Sequence, residues 1–266
     1  ESRYPAEVMA KLAEMDWLGI PYPTEYGGAG SDYLTFAIVI EEISRACAST
    51  GFTVSATTGL VLTPIFQFGT EEQKKKFMIP LCKGEKVGAF ALTEPGAGTD
   101  PASATTTAVL EGDEYVINGT KTFVSNGPLA DIFVVIAVTD KTKGARGMSA
   151  FVVPKEAGGI TVGKHFQKMG LRASQTSEVF FKDCRIPKEN LLGQEGQGFR
   201  IAMQALDIGR IGIAAQAVGI LQAALDESTS FAKERVQFGR PISANQAIQW
   251  MLVDMATDLQ AARFLT

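Results

Sequence analysis

Histidine and cysteine are scarce in this sequence of 266 residues, and their scarcity excludes several kinds of site. The single histidine, His165, rules out a metal centre built on several histidines and leaves no spare histidine beside a Ser-His triad. Its surroundings, "VGKHFQKMG", predict a solvated loop or the end of a strand, and we predict no metal site. The three cysteines, Cys47, Cys82 and Cys184, form no Cys-x-x-Cys pair and are odd in number. They favour a reducing compartment over a disulfide scaffold.

Long apolar runs and clusters of basic residues are missing as well. The longest uninterrupted apolar run, "IFVVIAV" at 132–138, is far shorter than the ~20 residues that span a bilayer. The 25 lysines and arginines are outnumbered by 29 aspartates and glutamates, giving a net charge of -4. We therefore predict neither membrane insertion nor nucleic-acid binding. An apolar content of 45% is enough for a sizeable core in two or three subdomains.

The distribution of apolar residues divides the chain into helical, β and helical zones, which predicts an α+β fold. Residues 1–86 form an N-terminal helical domain with helices over 5–18, 32–49 and 70–83. Thr70 and Gln73 open the last of these as a capping box. Residues 190–266 begin a C-terminal helical bundle, with helices from about 196 to 235 and from about 243 to the end.

The middle zone, residues 87–189, has the alternating and β-branched pattern of an antiparallel sheet or small barrel. Turn residues at Glu111-Gly112-Asp113 and at Asn118-Gly119 separate the predicted strands. These strands cover 87–93, 104–110, 114–125, 131–138, 148–154 and 176–184.

Both ends of the chain look cut. The sequence starts without a methionine or a cleavable apolar segment, and it stops inside a periodic helical pattern without a residue that ends helices. We therefore expect further residues after 266, with only about half of the C-terminal bundle present.

Three stretches suggest ligand contacts, although each has a plainer interpretation. "AFALTEPGAGTD" at 89–100 leads a strand into a loop of small residues and hydroxyls, which suits a polar ligand or an ordinary Pro-Gly turn. "NGTKTFVSNG" at 118–127 places Phe123 and Ser125 on one strand face, where they contact a planar heterocycle or only pack in the sheet. In "KERVQFGRP" at 233–241, Arg235 either meets a phosphate or complements the helix dipole.

A fourth stretch, "LDIGRIGIA" at 206–214, places two glycines inside a predicted helix. Each costs about 1 kcal/mol relative to alanine. Either another helix packs closely against Gly209 and Gly212, or the glycines leave room for a ligand. They belong to a helical stripe of small residues at 202, 205, 209, 212, 215 and 219.

Taken together, these stretches resemble the acyl-CoA dehydrogenase family over essentially the whole chain. With one more stretch, from the end of the β zone, five in all carry the resemblance by their order and spacing. "TDKTKGARGMSAF", "SQTSEVFFKD" and "RVQFGRPI" are most similar to short-chain members, the bacterial butyryl-CoA dehydrogenases. The five stretches are "ALTEPGAGTD", "NGTKTFVSNG", "KMGLRASQTSEVFFKDCRIP", "LDIGRIGIAAQAVGI" and "RVQFGRPI".

The resemblance implies an FAD-binding homotetramer, a dimer of dimers, in the bacterial cytoplasm or the mitochondrial matrix. At three positions the sequence departs from common family choices: Phe123 is often Trp, Ser125 often Thr and Thr99 often Ser. The implied substrate contacts are Thr99, Asp207, Ile208, Gly209 and Arg210. The implied FAD contacts, the last three of them across a subunit boundary, are Phe90, Leu92, Thr93, Gly98, Thr99, Phe123, Val124, Ser125, Arg235, Phe238 and Gln246.

The family reaction is α,β-dehydrogenation of an acyl-CoA thioester, with electrons passed on to electron-transfer flavoprotein. A glutamate removes the α-proton while the β-hydrogen leaves as hydride to the flavin. The resemblance places this base beyond residue 266. In isovaleryl-type members the glutamate instead occupies the position that matches Gly209, which has no side chain. Glu94, beside Pro95, matches no family base, so we predict no catalytic residue within this chain. The alternatives are a non-catalytic flavin- or acyl-CoA-binding fragment, an acyl-CoA oxidase and an enoyl-CoA reductase.

Overall fold

The computed structural model describes residues 3–266 and has helices, a sheet and helices in that order. This order confirms the predicted α+β architecture. The N-terminal helices are α1 (Ala6–Glu14), α2 (Tyr33–Ala46), α3 (Ala48–Ala56), α4 (Thr63–Phe68), α5 (Glu71–Gln73) and α6 (Ile79–Cys82). A π-helical stretch, Thr57–Leu62, joins α3 to α4, and a second, Lys74–Met78, joins α5 to α6.

The predicted capping box at the start of α5 is confirmed and also connects two parts of the fold. The Gln73 backbone N–H donates to Thr70 Oγ1 at 3.2 Å, and the Thr70 N–H donates to Gln73 Oε1 at 2.8 Å. Gln73 Nε2 donates in turn to the carbonyl oxygens of Glu189 and Leu191 at 2.6 and 2.9 Å. The cap therefore fixes the helical unit against the end of the sheet.

The helix predicted over 32–49 is interrupted at the extended residue Cys47, and the helical residues 50–68 were not predicted, because threonine, serine, glycine and valine are poor helix formers. Tertiary contacts compensate for that low propensity. The Tyr22 hydroxyl donates to the Thr58 carbonyl oxygen at 2.7 Å, and Thr58 Oγ1 donates to the Leu18 carbonyl oxygen at 2.9 Å. The π-helical stretch thus forms where the Tyr22 side chain satisfies one of its carbonyl groups and its own Thr58 side chain bonds to the N-terminal segment.

The middle of the chain forms one eight-stranded sheet in the order β6-β7-β3-β2-β4-β5-β8, with β1 beside β4. Most pairs are antiparallel as predicted, but β1 and β2 both run parallel to β4. Parallel pairing needs a long connection, which the β2-β3 hairpin supplies between β1 and β4. The strands are β1 (Gly88–Ala91), β2 (Thr107–Glu111), β3 (Glu114–Ser125), β4 (Ile132–Val138), β5 (Met148–Pro154), β6 (Ile160–Val162), β7 (Thr176–Pro187) and β8 (Leu191–Leu192).

The two predicted turns have different outcomes. Gly112, at φ +65°, lies in the two-residue turn between β2 and β3, as predicted. The prediction at Asn118-Gly119 is wrong, because both residues lie within β3 at a β-bulge. A Cβ on Gly119 would lie 2.7 Å from the Thr106 Cα, so glycine here allows β2 and β3 to approach closely.

The apolar run at 132–138 is β4, which is buried on both faces. Ile132, Val134 and Ile136 face the core shared with the N-terminal helices, whereas Phe133 and Val135 face the opposite core. A strand covered on both faces reads as a continuous apolar run instead of an alternating one. The sheet is therefore the central layer between two apolar cores.

The C-terminal part contains α7 (Gly198–Glu234), a short hairpin of β9 (Val236–Gln237) and β10 (Arg240–Pro241), and α8 (Gln246–Leu265). The small-residue stripe of α7 is buried against the N-terminal helices. A Cβ on Gly212 would lie 2.0 Å from Ser55 Oγ, and one on Gly219 would lie 2.2 Å from the Glu41 carbonyl oxygen. Close helix packing therefore explains these two glycines.

By length and composition α7 alone, among the described helices, could cross a membrane, with a mean hydropathy of 1.5 in its most apolar window. Counting uninterrupted runs misses this helix because polar residues such as Arg210 and Gln216 interrupt it. The buried core helix of a soluble protein passes the same test, and the stripe of α7 packs against α2 and α3.

Replacing Gly219 with alanine tests the packing of α7. We expect Gly219→Ala to lower the free energy of unfolding by about 1–3 kcal/mol, because the new methyl group meets the backbone of α2. Gly209→Ala is the matched comparison, since its methyl group would meet only the flexible tip of Leu60. Urea unfolding measures both, and equal losses would contradict backbone contact at Gly219.

Candidate functional site

A cavity of about 160 Å³ lies between the sheet and the N-terminal helices. One wall is formed by β1 with the residues that follow it and by the end of β3. The opposite wall comes from α3, the π-helical stretch and α7. The principal lining residues are Ala56, Leu60, Val61, Phe90, Leu92, Thr93, Thr122, Phe123, Ser125, Asn126 and Leu206.

Four polar residues line this cavity: Thr93, Thr122, Ser125 and Asn126. Asn126 Nδ2 donates weakly to the Gly88 carbonyl oxygen at 3.3 Å, but the buried Oδ1 has no partner. Buried polar atoms are nearly always hydrogen-bonded, so this unpartnered oxygen is an unusual feature of the cavity wall.

Phe123 borders the cavity in a strained backbone conformation. Its φ of +53° is rare for an aromatic residue and costs on the order of 1–3 kcal/mol. The side chain is 67% exposed, and its ring contacts Phe166 edge-to-face with the ring centres 5.5 Å apart. The fold therefore holds an accessible aromatic surface beside polar side chains, an arrangement that suits a planar polar ring.

A second cavity of about 460 Å³ adjoins the first between α3, the π-helical stretch and α7. The two share Ala56, Leu60 and Leu206, so a ligand in one lies next to a ligand in the other. Arg210 lies at the rim, where it forms an ion pair with Asp207. The full lining is Phe52, Ser55, Ala56, Leu60, Leu206, Gly209, Arg210, Ile213, Ala214 and Ala217, which is almost entirely apolar.

The structure brings seven of the sequence-predicted residues to these cavities. Phe90, Leu92, Thr93, Phe123 and Ser125 line the first, and Gly209 and Arg210 line the second.

The other predicted residues lie elsewhere. Val124 is buried in the far core of the sheet, because side chains alternate along a strand and its neighbours Phe123 and Ser125 face the cavity. Gly98 and Thr99 are exposed after the turn at Pro95-Gly96, and Asp207 and Ile208 flank the second cavity without lining it. Arg235, Phe238 and Gln246 are exposed at the opposite end of α7. Their binding roles stay predictions.

Two polar lining residues, Thr122 and Asn126, were not predicted from the sequence, nor was the part of the helical wall that α3 and the π-helical stretch form. Asn126 follows Ser125 in "NGTKTFVSNG", so its position in that motif was an available signal. Leu60 and Val61 carried no such signal, because the segment that holds them was not predicted to be helical. His165 is exposed in a loop, as predicted, and all three cysteines are free. The described residues contain no cluster that could hold a metal ion.

Glu94 is buried beside the first cavity, but its carboxylate is fully engaged. Lys121 Nζ lies 2.8 Å from Glu94 Oε1, with the two side chains 0% and 4% exposed. Thr105 donates its N–H and its hydroxyl to Oε2 at 2.7 and 2.8 Å, and the Thr106 N–H donates to Oε1 at 2.9 Å. Burial alone would raise the pKa of Glu94, but the Lys121 charge and these hydrogen bonds outweigh it and lower the pKa to about 2. So acidic a group is a poor general base.

The lowered pKa of Glu94 predicts a pH-dependent contribution to stability. The contribution is fully present above the ordinary pKa of 4.5 and is lost as the pH falls towards 2. We expect Glu94→Gln to lower the free energy of unfolding by about 3–5 kcal/mol at pH 7, because it leaves Lys121 buried and unpaired. Urea unfolding at pH 7 and pH 3 should show a smaller difference from wild type at pH 3. A difference independent of pH would contradict the role of the carboxylate charge.

The chain thus combines a helical–β–helical order of elements with a cavity that has polar side chains on its sheet wall and adjoins a largely apolar one. The chain matches the family descriptions "Acyl-CoA dehydrogenase, N-terminal domain" over residues 1–85, "middle domain" over 89–184 and "C-terminal domain" over 196–266. It belongs to the acyl-CoA dehydrogenase family.

Individual relatives are similar over nearly the whole chain. "Acyl-CoA dehydrogenase, short-chain specific" of Clostridium acetobutylicum is 51% identical over 99% of this chain and 69% of its own length. The butyryl-CoA dehydrogenase structure from Megasphaera elsdenii has a TM-score of 0.96 and 46% identity, covering 99% of this chain and 70% of that one. A chain in a structure described as electron transferring flavoprotein of Acidaminococcus fermentans has a TM-score of 0.97 and 51% identity, with coverage of 99% and 70%. This chain spans 65–70% of the length of such relatives.

Proposed function

We propose that this protein is an FAD-dependent acyl-CoA dehydrogenase that forms the α,β double bond of a short-chain acyl-CoA and passes the electrons to electron-transfer flavoprotein. The observation that carries the proposal is the pair of adjoining cavities: the first has hydroxyl and amide side chains among its lining residues, and the second is almost entirely apolar. Identity of 51% to a short-chain-specific relative and of 46% to a butyryl-CoA dehydrogenase supports the substrate class. The Acidaminococcus structure supports the electron acceptor.

The first cavity has the donor set that an FAD ring requires. A flavin ring is planar and carries several hydrogen-bond acceptors and an N–H donor, which match the hydroxyl groups of Thr93, Thr122 and Ser125 among the lining residues. Phe90, Leu92, Thr93, Phe123 and Ser125 would hold the ring, and Val124 would support it from the core. Bound FAD supplies the acceptor for the hydride that leaves the substrate. Gly98 and Thr99 would contact the phosphates.

The remaining FAD contacts require a second subunit. We propose a homotetramer, a dimer of dimers, in which Arg235, Phe238 and Gln246 bind the FAD of a neighbouring subunit. Their exposure far from the chain's own cavities supports this role. The outward face of α8, where Trp250, Met251 and Val253 are exposed, supports assembly because such apolar surface favours association. We also propose three structural units, residues 1–86, 87–189 and 190–266. The enzyme's proposed location is the bacterial cytoplasm or the mitochondrial matrix.

The second cavity would hold the acyl chain. Its lining is almost entirely apolar, and Gly209 lies close against Leu60, because a Cβ on Gly209 would lie 2.8 Å from Leu60 Cδ2. Thr99, Asp207, Ile208 and Arg210 would contact the polar part of acyl-CoA, because Asp207 and Arg210 mark the rim.

The base that removes the α-proton lies outside residues 3–266 in this proposal. No carboxylate lines either cavity in that range, and the partners of Glu94 keep it ionised and fully hydrogen-bonded. The same observation favours a second candidate for these residues on their own: a module that binds flavin and acyl-CoA without dehydrogenating it. The two candidates differ in turnover and share the binding sites.

Filling the second cavity should separate substrate binding from FAD binding. We expect Gly209→Leu to weaken butyryl-CoA binding about tenfold to a hundredfold, because the side chain would overpack the cavity. FAD affinity should stay unchanged, since Gly209 does not line the first cavity. Calorimetric titration of wild type, Gly209→Ala and Gly209→Leu measures both ligands.

The alanine variant is the control, because its methyl group meets only the tip of Leu60. Equal butyryl-CoA affinity in all three proteins would leave Gly209 a helix-packing residue. A wild-type protein that binds neither FAD nor butyryl-CoA would contradict the proposed function.

A further inference from the structure

A buried ion pair joins two neighbouring segments of the sheet wall of the first cavity. Leu92 and Thr93 follow β1 on one segment, and Thr122 and Phe123 lie on β3 on the other. Glu94 comes directly after the first pair in sequence, and Lys121 comes directly before the second. Neither charged side chain lines the cavity.

The pair connects the segments through several short bonds. Lys121 Nζ donates to Glu94 Oε1 at 2.8 Å and to the Leu92 carbonyl oxygen at 2.9 Å. The Thr122 N–H donates to the Thr93 carbonyl oxygen at 2.8 Å. The backbone that carries Leu92 and Thr93 is thereby tied to the strand that carries Thr122 and Phe123.

The carboxylate also reaches the segment before β2. It accepts from the backbone N–H groups of Thr105 and Thr106, and from the Thr105 hydroxyl. With the bond from Lys121, both oxygens of Glu94 are engaged. Lengthening or removing this carboxylate would therefore disturb three segments that meet beside the cavity.

Stability is a poor explanation for placing two charges here. Desolvation of a buried ion pair offsets much of its attraction, and apolar residues of similar size often stabilise as well or better. Hydrogen bonds of β2, β3 and β4 already hold the surrounding sheet. What the pair adds is a fixed position for backbone that the sheet ladder does not reach, because β1 ends at Ala91.

We propose that Glu94 and Lys121 are positioning residues for the cofactor ring, which fix the two segments of the cavity wall at the spacing that FAD requires. This inference rests on the proposed function. The pair acts through Leu92, Thr93, Thr122 and Phe123, because those residues line the cavity. Its loss weakens cofactor binding even where the protein stays folded.

Three variants distinguish a positioning role of the pair from plain stabilisation of the fold. Each FAD-loaded protein is stripped of its cofactor, and FAD is then titrated back to measure its affinity. E94Q and K121M each leave one charge buried and unpaired, whereas the double variant E94Q/K121M removes both charges. We expect all three to bind FAD at least about tenfold more weakly, a loss of ~1.4 kcal/mol. The double variant should regain thermal stability relative to the single variants, because it leaves no unpaired charge. It should not regain FAD affinity, because the bond to the Leu92 carbonyl oxygen is gone.

The reduction potential of the bound flavin gives a second readout. A lone Lys121 ammonium in E94Q should shift the potential upward, and the double variant should lie nearer wild type, because a cation favours the electron-rich flavin. E111Q is the control, since Glu111 pairs with Arg185 on the exposed part of the sheet and should change neither quantity. If E94Q and K121M do not fold, E94D keeps both charges, shifts the carboxylate, and should also weaken FAD binding.

FAD affinity that recovers together with stability in the double variant would overturn the proposal and leave a structural ion pair. Wild-type affinity in a folded E94D variant would overturn it as well. A wild-type protein that takes up no FAD would instead contradict the proposed function, and the positioning role with it.

Discussion

The close approach of α7 to the N-terminal helices determines where both cavities lie. Gly219 meets the backbone of α2, and the Gly59 and Gly209 backbones come so close that a Cβ on Gly59 would lie 3.3 Å from the Gly209 Cα. Leu206, one turn before Gly209 on α7, lines both cavities. The glycines thus serve packing along the stripe, and at Gly209 the lack of a side chain lets Leu60, which lines both cavities, approach α7.

The sequence predicted the elements that depend on local pattern. Strands β3 and β5 have the predicted bounds, and the capping box at Thr70 is present, because alternation and capping are local properties. The helical residues 50–68 were missed because long-range bonds such as that from Tyr22 to Thr58 compensate for their low helix propensity. Asn118-Gly119 has the composition of a turn, yet the approach of Thr106 makes it a bulge within a strand.

The site residues that belong to recognisable motifs could be predicted from the sequence. Those whose place in the site depends on where the side chain points could not. Phe123 and Ser125 line the first cavity as expected, and Val124 between them faces the core, because side chains alternate along a strand. Thr122 lines the cavity as well, because the bulge at 121–124 interrupts the alternation, and a single sequence does not reveal such a register shift. The helical wall and the orphaned oxygen of Asn126 became evident only from the packing of distant segments.

We propose that residues 3–266 hold flavin and acyl-CoA in adjoining cavities and contribute no base for removal of the α-proton. Anaerobic titration of the FAD-loaded protein with butyryl-CoA, followed by the visible absorption of the flavin, tests this claim most directly. The account predicts that the band shifts as substrate binds next to the ring and that the flavin stays oxidised. Bleaching of the band would contradict it, because a residue within these 266 would then be removing the α-proton.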